Sequence, residues 1–303
     1  MANYGSGPRS NSTKAESAQL IQQRMADARR WIIGEAQVWD TCRRFLDGLQ
    51  YGRYRQGRGA ESQGTWVTEP SEPGVSRVAI NLLLPIYNRL RSMLAVTTPY
   101  IGVRPASMTT SDMVKAKTDA AMIQYLWESR KVPEAFMEAN KWLIATGNAF
   151  LHTYYDAEHE QIQVDVVPPY DVFCQRNVDD IQRSEWLIKR TYLYKSAIER
   201  IYPKIDLSKV DAVTVQIGLD RVNFTYASDT SEGQGEERYE VLEYWSREKS
   251  KHCIVIGTQT AWEAKKWVNT KSFPIAHIKF HSLPGRLHGK GAIAPLLQIQ
   301  KEY

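Results

Sequence analysis

The sequence predicts an α+β fold, with N-terminal helices packed on a mostly antiparallel β region, on three observations. Apolar residues recur at helical spacing through the first half of the chain. At Asn148 the period drops from about 3.6 to 2, the change that marks entry into sheet. Beyond it, short β-rich runs alternate with polar turns until a new helix opens at Pro295.

Helical periodicity runs from about Thr13 to Gln50, with Leu20, Trp31, Trp39, Phe45 and Leu49 among its apolar positions and Gly34 as a candidate break. The glycine-rich "YGRYRQGRGAESQG" reads as an exposed loop. In "RVAINLLLPIYNRLRSMLAVTTPYIGVRPAS" a second helix is predicted from Leu83, Ile86, Leu90 and Leu94, closed by Pro99 and Pro105. Ser111 is a candidate N-cap for a third helix, to about Ser129, with Met113, Ala116, Ala120, Ile123 and Trp127 on one face. Pro133 opens a fourth, with Phe136, Ala139 and Leu143 facing inward and Gly147 placed to stop it.

The β region starts with a hairpin candidate, "AFLHTYY" and "QIQVDVV" joined by "DAEHE", with Ile162, Val164 and Val166 on one face. Further strands are predicted at "EWLIKRTYLY", "RYEVLEYWS", "HCIVIG" and "PIAHIKFHS", interrupted by a short helix at "KSAIERIYP" and an acidic, mobile loop at "SDTSEGQGEE". Five regions follow: a tail at 1–12, a basic helical segment at 13–58, a helical part at 59–147, a β-rich part at 148–285 and the start of a further helix at 286–303.

Composition bounds the function. With 43% apolar residues, nine Trp and sixteen Tyr in 303 residues, the chain can build a core. No run approaches the roughly 18 apolar residues of a membrane span, so the chain reads as soluble, not secreted and without a membrane partner. Cys42, Cys174 and Cys253 lie far apart with no paired spacing, as expected of reduced structural thiols. The net charge of +5 is confined to residues 1–58, which hold nine Arg and one Lys against five acids. The remainder balances 29 basic against 29 acidic residues.

Chemical motifs are few. "GRLHGKG" resembles a phosphate loop but has Pro284 and Gly291 where GxxxxGK[ST] needs Gly and Ser or Thr. Asp171, Asp179, Asp180 and Glu185 lack the spacing of a common face, so a solvated loop is expected rather than a two-metal nuclease cluster. His277 and His281 would share one side of a strand with His288 a loop away, which makes a metal site geometrically possible, but no Cys or carboxylate stands at ligand spacing. No catalytic residue, metal ligand or cofactor is predicted.

Taken in order, six segments resemble the portal (head-to-tail connector) proteins of tailed bacteriophages. "FLDGLQY" is similar to the family's F-x-x-G-x-Q-W, with Tyr51 for Trp. "RVAINLLLPIYNRLRSMLAVTTPYIGVRP", "KWLIATGNAFLHTYYD", "VDVVPPYDVF", "FPIAHIKFH" and "GKGAIAPLLQIQKEY" follow in the family's order, so that the likeness spans roughly residues 40–303. Gln175 and Arg176 stand where the family often has Asp-Pro.

The resemblance implies a ring, usually of twelve subunits, at one capsid vertex, through which double-stranded DNA enters and leaves. It implies contacts with the major capsid protein, terminase and tail adaptor or head-completion proteins, and no enzymatic activity. It also implies that this chain is the N-terminal, wing-forming part of a longer polypeptide, with stem, clip and crown beyond the last helix. Within it, Arg29, Arg30, Arg43, Arg44, Arg53, Arg55 and Arg58 are expected to face a neighbouring subunit, the capsid or a tail protein. The alternative is a solvated helix face, since Asp27, Asp40 and Asp47 lie within i,i+3 or i,i+4 reach of arginines such as Arg30, Arg43 and Arg44. Two other readings are a sequence-tolerant nucleic-acid binder, stacking bases on Tyr51 and Tyr54 beside these arginines, and a nuclease using Asp171, Asp179 or Asp180 with a divalent metal.

Overall fold

The computed structural model describes residues 10–55, 65–68, 80–96, 101–156, 160–215, 225–226, 236–247, 251–264 and 272–302. Its helices and antiparallel sheets form the expected α+β architecture. Helix α1 spans Ser10–Leu46 without interruption at Gly34, an exposed position where an added Cβ would meet nothing within 4 Å. Its buried positions mix small with large: Ala18, Ile21, Met25 and Ala28 pack with Phe173, Trp186, Ile188, Leu242 and Tyr244. Small side chains let a long helix approach a sheet closely, while Leu20, Trp31 and Leu49 are exposed, against expectation. Trp39 and Phe45 are buried as expected.

The stretch expected to be a loop instead contains strand β1, Gly52–Arg55, paired antiparallel with β2, Thr65–Thr68. Gly52 is needed there because a Cβ would lie 2.5 Å from the Trp66 ring. Helix α2, Leu83–Val96, buries Leu83 and packs Tyr87, Leu90 and Leu94 against the end of α1, leaving Ile86 exposed. Asn81 splices the two helices: its Nδ2 donates to the carbonyls of Phe45 and Leu46, and its Oδ1 accepts from the amides of Leu83 and Leu84. Pro99 and the acidic stretch at 228–235 lie outside the described residues.

Helix α3, Thr110–Ser129, is capped by Thr109, not Ser111; the Thr109 hydroxyl accepts from the Asp112 amide. Helix α4, Val132–Thr146, carries Pro133 in its first turn and stops at Gly147, whose φ of 85° is left-handed. A Cβ on Gly147 would lie 2.3 Å from the Lys290 carbonyl carbon. Gly147→Ala is therefore expected to cost more than the roughly 1–3 kcal/mol of the backbone conformation alone, as urea denaturation would measure. A loss below 1 kcal/mol would mean that the 289–291 segment does not press on this turn.

The hairpin forms as expected from β3, Asn148–Asp156, and β4, Gln161–Val167; β12, Ile275–Lys279, completes this sheet on the far side of β3. A second sheet runs β11, β10, β9, β6, β5. Its members are β5 (Val172–Cys174), β6 (Trp186–Leu193), β9 (Glu236–Ser246), β10 (Lys251–Ile256) and β11 (Gln259–Glu263), the first and last unanticipated. Short strands β7 (Val213–Val215) and β8 (Thr225–Tyr226) extend from β9, and helix α5, Lys195–Ile201, packs over it through Ile198. The sheets meet in a core of Phe150, Val167, Leu187, Trp245 and Ile275.

A polar cluster also joins them. Lys189 of β6 lies 2.9 Å from His152 Nδ1 of β3 and 3.2 Å from Glu243 of β9, whose other oxygen is 3.0 Å from His252 Nε2 of β10. Helix α6, Leu297–Glu302, follows a 3₁₀ turn containing Pro295. Gln300 ties it back, donating to Gln50 Oε1 and the Ile80 carbonyl and accepting from the Leu82 amide. None of the described helices is long and apolar enough to cross a membrane.

Candidate interaction surface

Of the seven arginines expected at a partner surface, the described ones, Arg29, Arg30, Arg43, Arg44 and Arg53, do not converge on one patch. Arg44 is 6% exposed; its Nε donates to the fully buried Asp40 carboxylate at 2.6 Å, and its guanidinium lies 4.9 Å from the Trp66 ring centroid. Arg43 approaches the other Asp40 oxygen at 3.9 Å and lies over Trp142 and Tyr170. Burial of Asp40 is the physical reason: a buried carboxylate needs close cations, and α1 provides them three and four residues on. Arg44 is thus placed inside the protein rather than on a contact surface.

Arg29 is half-buried and faces Tyr192 and the Glu240 carboxylate of the second sheet. Arg30 is exposed and 3.5 Å from Asp27, and Arg53 is exposed on β1. The Arg55 side chain and Arg58 lie outside the described residues, as does the Tyr54 ring of the stacking platform.

The three aspartates of the imagined nuclease cluster each have a different local partner. Asp171 is bound to Arg190, Asp179 to Arg183, and Asp180 caps a 3₁₀ turn through the Gln182 amide, while Glu185 is exposed. Among the described residues no group of three or more His, Cys, Asp or Glu side chains could hold a metal ion. His277 and His288 do come together, with ring centroids 6.3 Å apart, whereas His281 is exposed. His277 Nε2 lies 3.1 Å from Asn148 Oδ1, and its ring stacks on Phe150. Burial lowers the pKa of His277 to about 3 and of His288 to about 4, holding both neutral at ordinary pH. The buried thiols of Cys42 and Cys174 are pushed up to about 12, and Cys253 to about 11, which removes thiolate chemistry from them.

"GRLHGKG" forms a wall facing α1. Gly291 approaches the Ile144 and Ala145 carbonyls so closely that a Cβ would sit 2.8 Å from the first. Gly289 and Gly291 thus serve packing of the segment on the end of α4, whereas Gly285 is open.

The surface feature missed in the sequence is apolar. Helix α3 turns Ala116, Ala120, Ile123 and Trp127 inward, Trp127 meeting Phe136 at 5.2 Å between centroids, but leaves Met113, expected on the same face, exposed. On the opposite side Val114, Met122 and Tyr125 are 59%, 59% and 66% exposed. The signal was present as apolar residues at 114, 121, 122 and 125, half a helical turn from the face that was recognised. No family model matches the chain, and no characterised protein sequence matches it.

Proposed function

We propose that the chain is the wing-forming part of a phage portal protein, assembling head-to-tail into a ring at one capsid vertex. The observation that carries this reading is the two-faced α3. A helix with apolar residues on opposite sides is stable in water when both sides are covered; α4 covers one, and the adjacent subunit covers Val114, Met122 and Tyr125. A contact between unlike surfaces of identical chains repeats around an axis and closes a ring. The order of helices, antiparallel sheets and returning helix agrees with the six segments that resemble the family.

The charge distribution fits a passive conduit. Each phosphate neutralised by Lys or Arg adds a salt-dependent contact that would hold the DNA. A body with 29 basic and 29 acidic residues beyond position 58 offers little such grip. In this reading the chain is not an enzyme: packaging energy and DNA cutting come from terminase, and the ring meets the capsid protein and tail adaptors.

Electron-microscope class averages of the assembled particle in moderate salt test the proposal. Closed rings are expected, and Met122→Asp combined with Tyr125→Asp should abolish them while far-UV circular dichroism stays unchanged. Rings that survive both substitutions would remove α3 from the interface; compact monomers from the natural full-length polypeptide would sink the portal reading itself.

A further inference from the structure

Two adjoining cavities lie along α1, separated by Glu35 and His288. One, of about 170 Å³, lies between Gly34, Val38 and Trp39 and the turn at 289–291. The other, of about 200 Å³, lies between Trp31 and Ile32 and the segments at 175–178 and 285–287. Both are many times the roughly 30 Å³ share of a liquid water, so a single bridging water would not fill them. Each is also below the roughly 300–1,000 Å³ usual for small-molecule sites.

The wall between the cavities holds buried polar atoms without partners. His288 is 7% exposed, and its Nε2 stands 3.9 Å from Glu35 Oε2, beyond hydrogen-bond range. Neither Glu35 Oε2 nor His288 Nδ1 has a hydrogen-bond partner, although both atoms are buried. Buried polar groups are nearly always satisfied in a protein's working state. With the ring proton on Nε2, the side turned to Glu35, both unsatisfied atoms are acceptors and both call for N–H donors.

The rim is cationic. Arg176, stacked 5.3 Å from the Trp31 ring centroid, Arg286 and Lys290 all line the cavities and are exposed, against the one carboxylate of Glu35.

We propose that this double cavity docks a short acidic and apolar peptide segment of a partner protein. An extended segment presents alternate side chains on one face. Two apolar side chains enter the cavities, backbone N–H groups between them donate to Glu35 and His288, and flanking carboxylates meet Arg176, Arg286 and Lys290. Nucleic acid fits less well, because a sugar-phosphate backbone on the cationic rim would leave the apolar cavities empty. The site goes beyond the ring-forming role and uses a different face from the outward stripe of α3.

The test is fluorescence anisotropy on the full chain with a fluorescein-labelled hexapeptide of alternating leucine and aspartate, and with its leucine and lysine counterpart. The acidic peptide should bind at least tenfold more tightly. Arg176→Glu with Arg286→Glu should weaken it at least tenfold, and so should Gly34→Leu. The last substitution meets no atom within 4 Å at its Cβ and removes a helix-interior glycine, so the fold should hold, as a thermal melt would check. No acidic-peptide binding, equal binding of both peptides, or binding indifferent to Gly34→Leu would overturn the proposal. So would a duplex oligonucleotide that binds through Arg176 and Arg286 where the peptide does not. Self-association lost in Gly34→Leu without peptide binding would instead make the occupant a second copy of the chain, and would also overturn it.

Discussion

Asp171→Ala is expected to lower stability by roughly 3–5 kcal/mol, the usual cost of leaving a buried charge without its partner. Arg190 is 3% exposed, its Nε donating to Asp171 Oδ1 at 3.0 Å and its Nη2 to the Tyr170 carbonyl at 3.0 Å. Its Nη1 lies 3.6 Å from Glu240 Oε1, and its guanidinium stacks near Phe173 and Tyr192. Taking Asp171 away removes the closest carboxylate from the cation and leaves it facing Glu240, whose own carboxyl burial pushes toward the neutral form.

Removing both charges should be far milder, because no ion is then stranded. The double variant Asp171→Asn, Arg190→Met is expected to recover most of the loss, and a double-mutant cycle by urea denaturation separates the two cases. An Asp171→Ala loss under 1 kcal/mol would mean that water reaches Arg190. The same cycle bears on the nuclease reading, in which Asp171 serves a metal rather than the core.

The arrangement around Asp171 shows where sequence reasoning stops. Periodicity and punctuation located α4 and the β3–β4 hairpin closely, because Pro133 and Gly147 bracket the helix and alternation is strict in "QIQVDVV". The same rule misjudged α1, since its inward positions Ala18, Ala28 and Ala36 are weakly apolar while Leu20 and Trp31 point outward. Strands β1 and β2 were hidden by glycines that suit close packing on Trp66 as well as they suit a loop. Arg44 could be paired with Asp40 from i,i+4 spacing, but the burial of that pair depends on β2 and α4, which spacing along α1 cannot reveal. Glu35 and His288 lie 253 positions apart. Only folding α1 against the 283–291 segment makes them neighbours, so the cavity wall had no local signature beyond the glycines of "GRLHGKG".

Stability should fall steeply as the pH drops from about 6.5 towards 4, before most carboxylates titrate. His152, His277 and His288 have an ordinary value of 6.5 that burial lowers to about 4, 3 and 4 in the folded protein. Between the unfolded and folded values the unfolded chain takes up protons that the folded one refuses, so acid favours unfolding. Each such histidine contributes about 1.4 kcal/mol per pH unit once the pH is well below 6.5. Glu243, lowered to about 2 against desolvation by its hydrogen bond to His252 and the Lys189 charge, adds a further loss as the pH falls below 4.5. Glu35 and Glu240, both raised by burial, work the other way, since the folded protein keeps their protons to higher pH. Above pH 4.5, where the unfolded carboxyls are ionised, these two offset part of the histidine slope, and the three histidines outnumber them. Urea midpoints at pH 7.5, 6.0 and 5.0 measure the slope. His152→Asn puts an amide oxygen in place of the Nδ1 acceptor that faces Lys189 and cannot titrate, so it should reduce the slope by up to about 1.4 kcal/mol per pH unit. An unchanged slope would show that His152 is protonated in the folded state, which the 2.9 Å approach of the Lys189 ammonium makes electrostatically unfavourable.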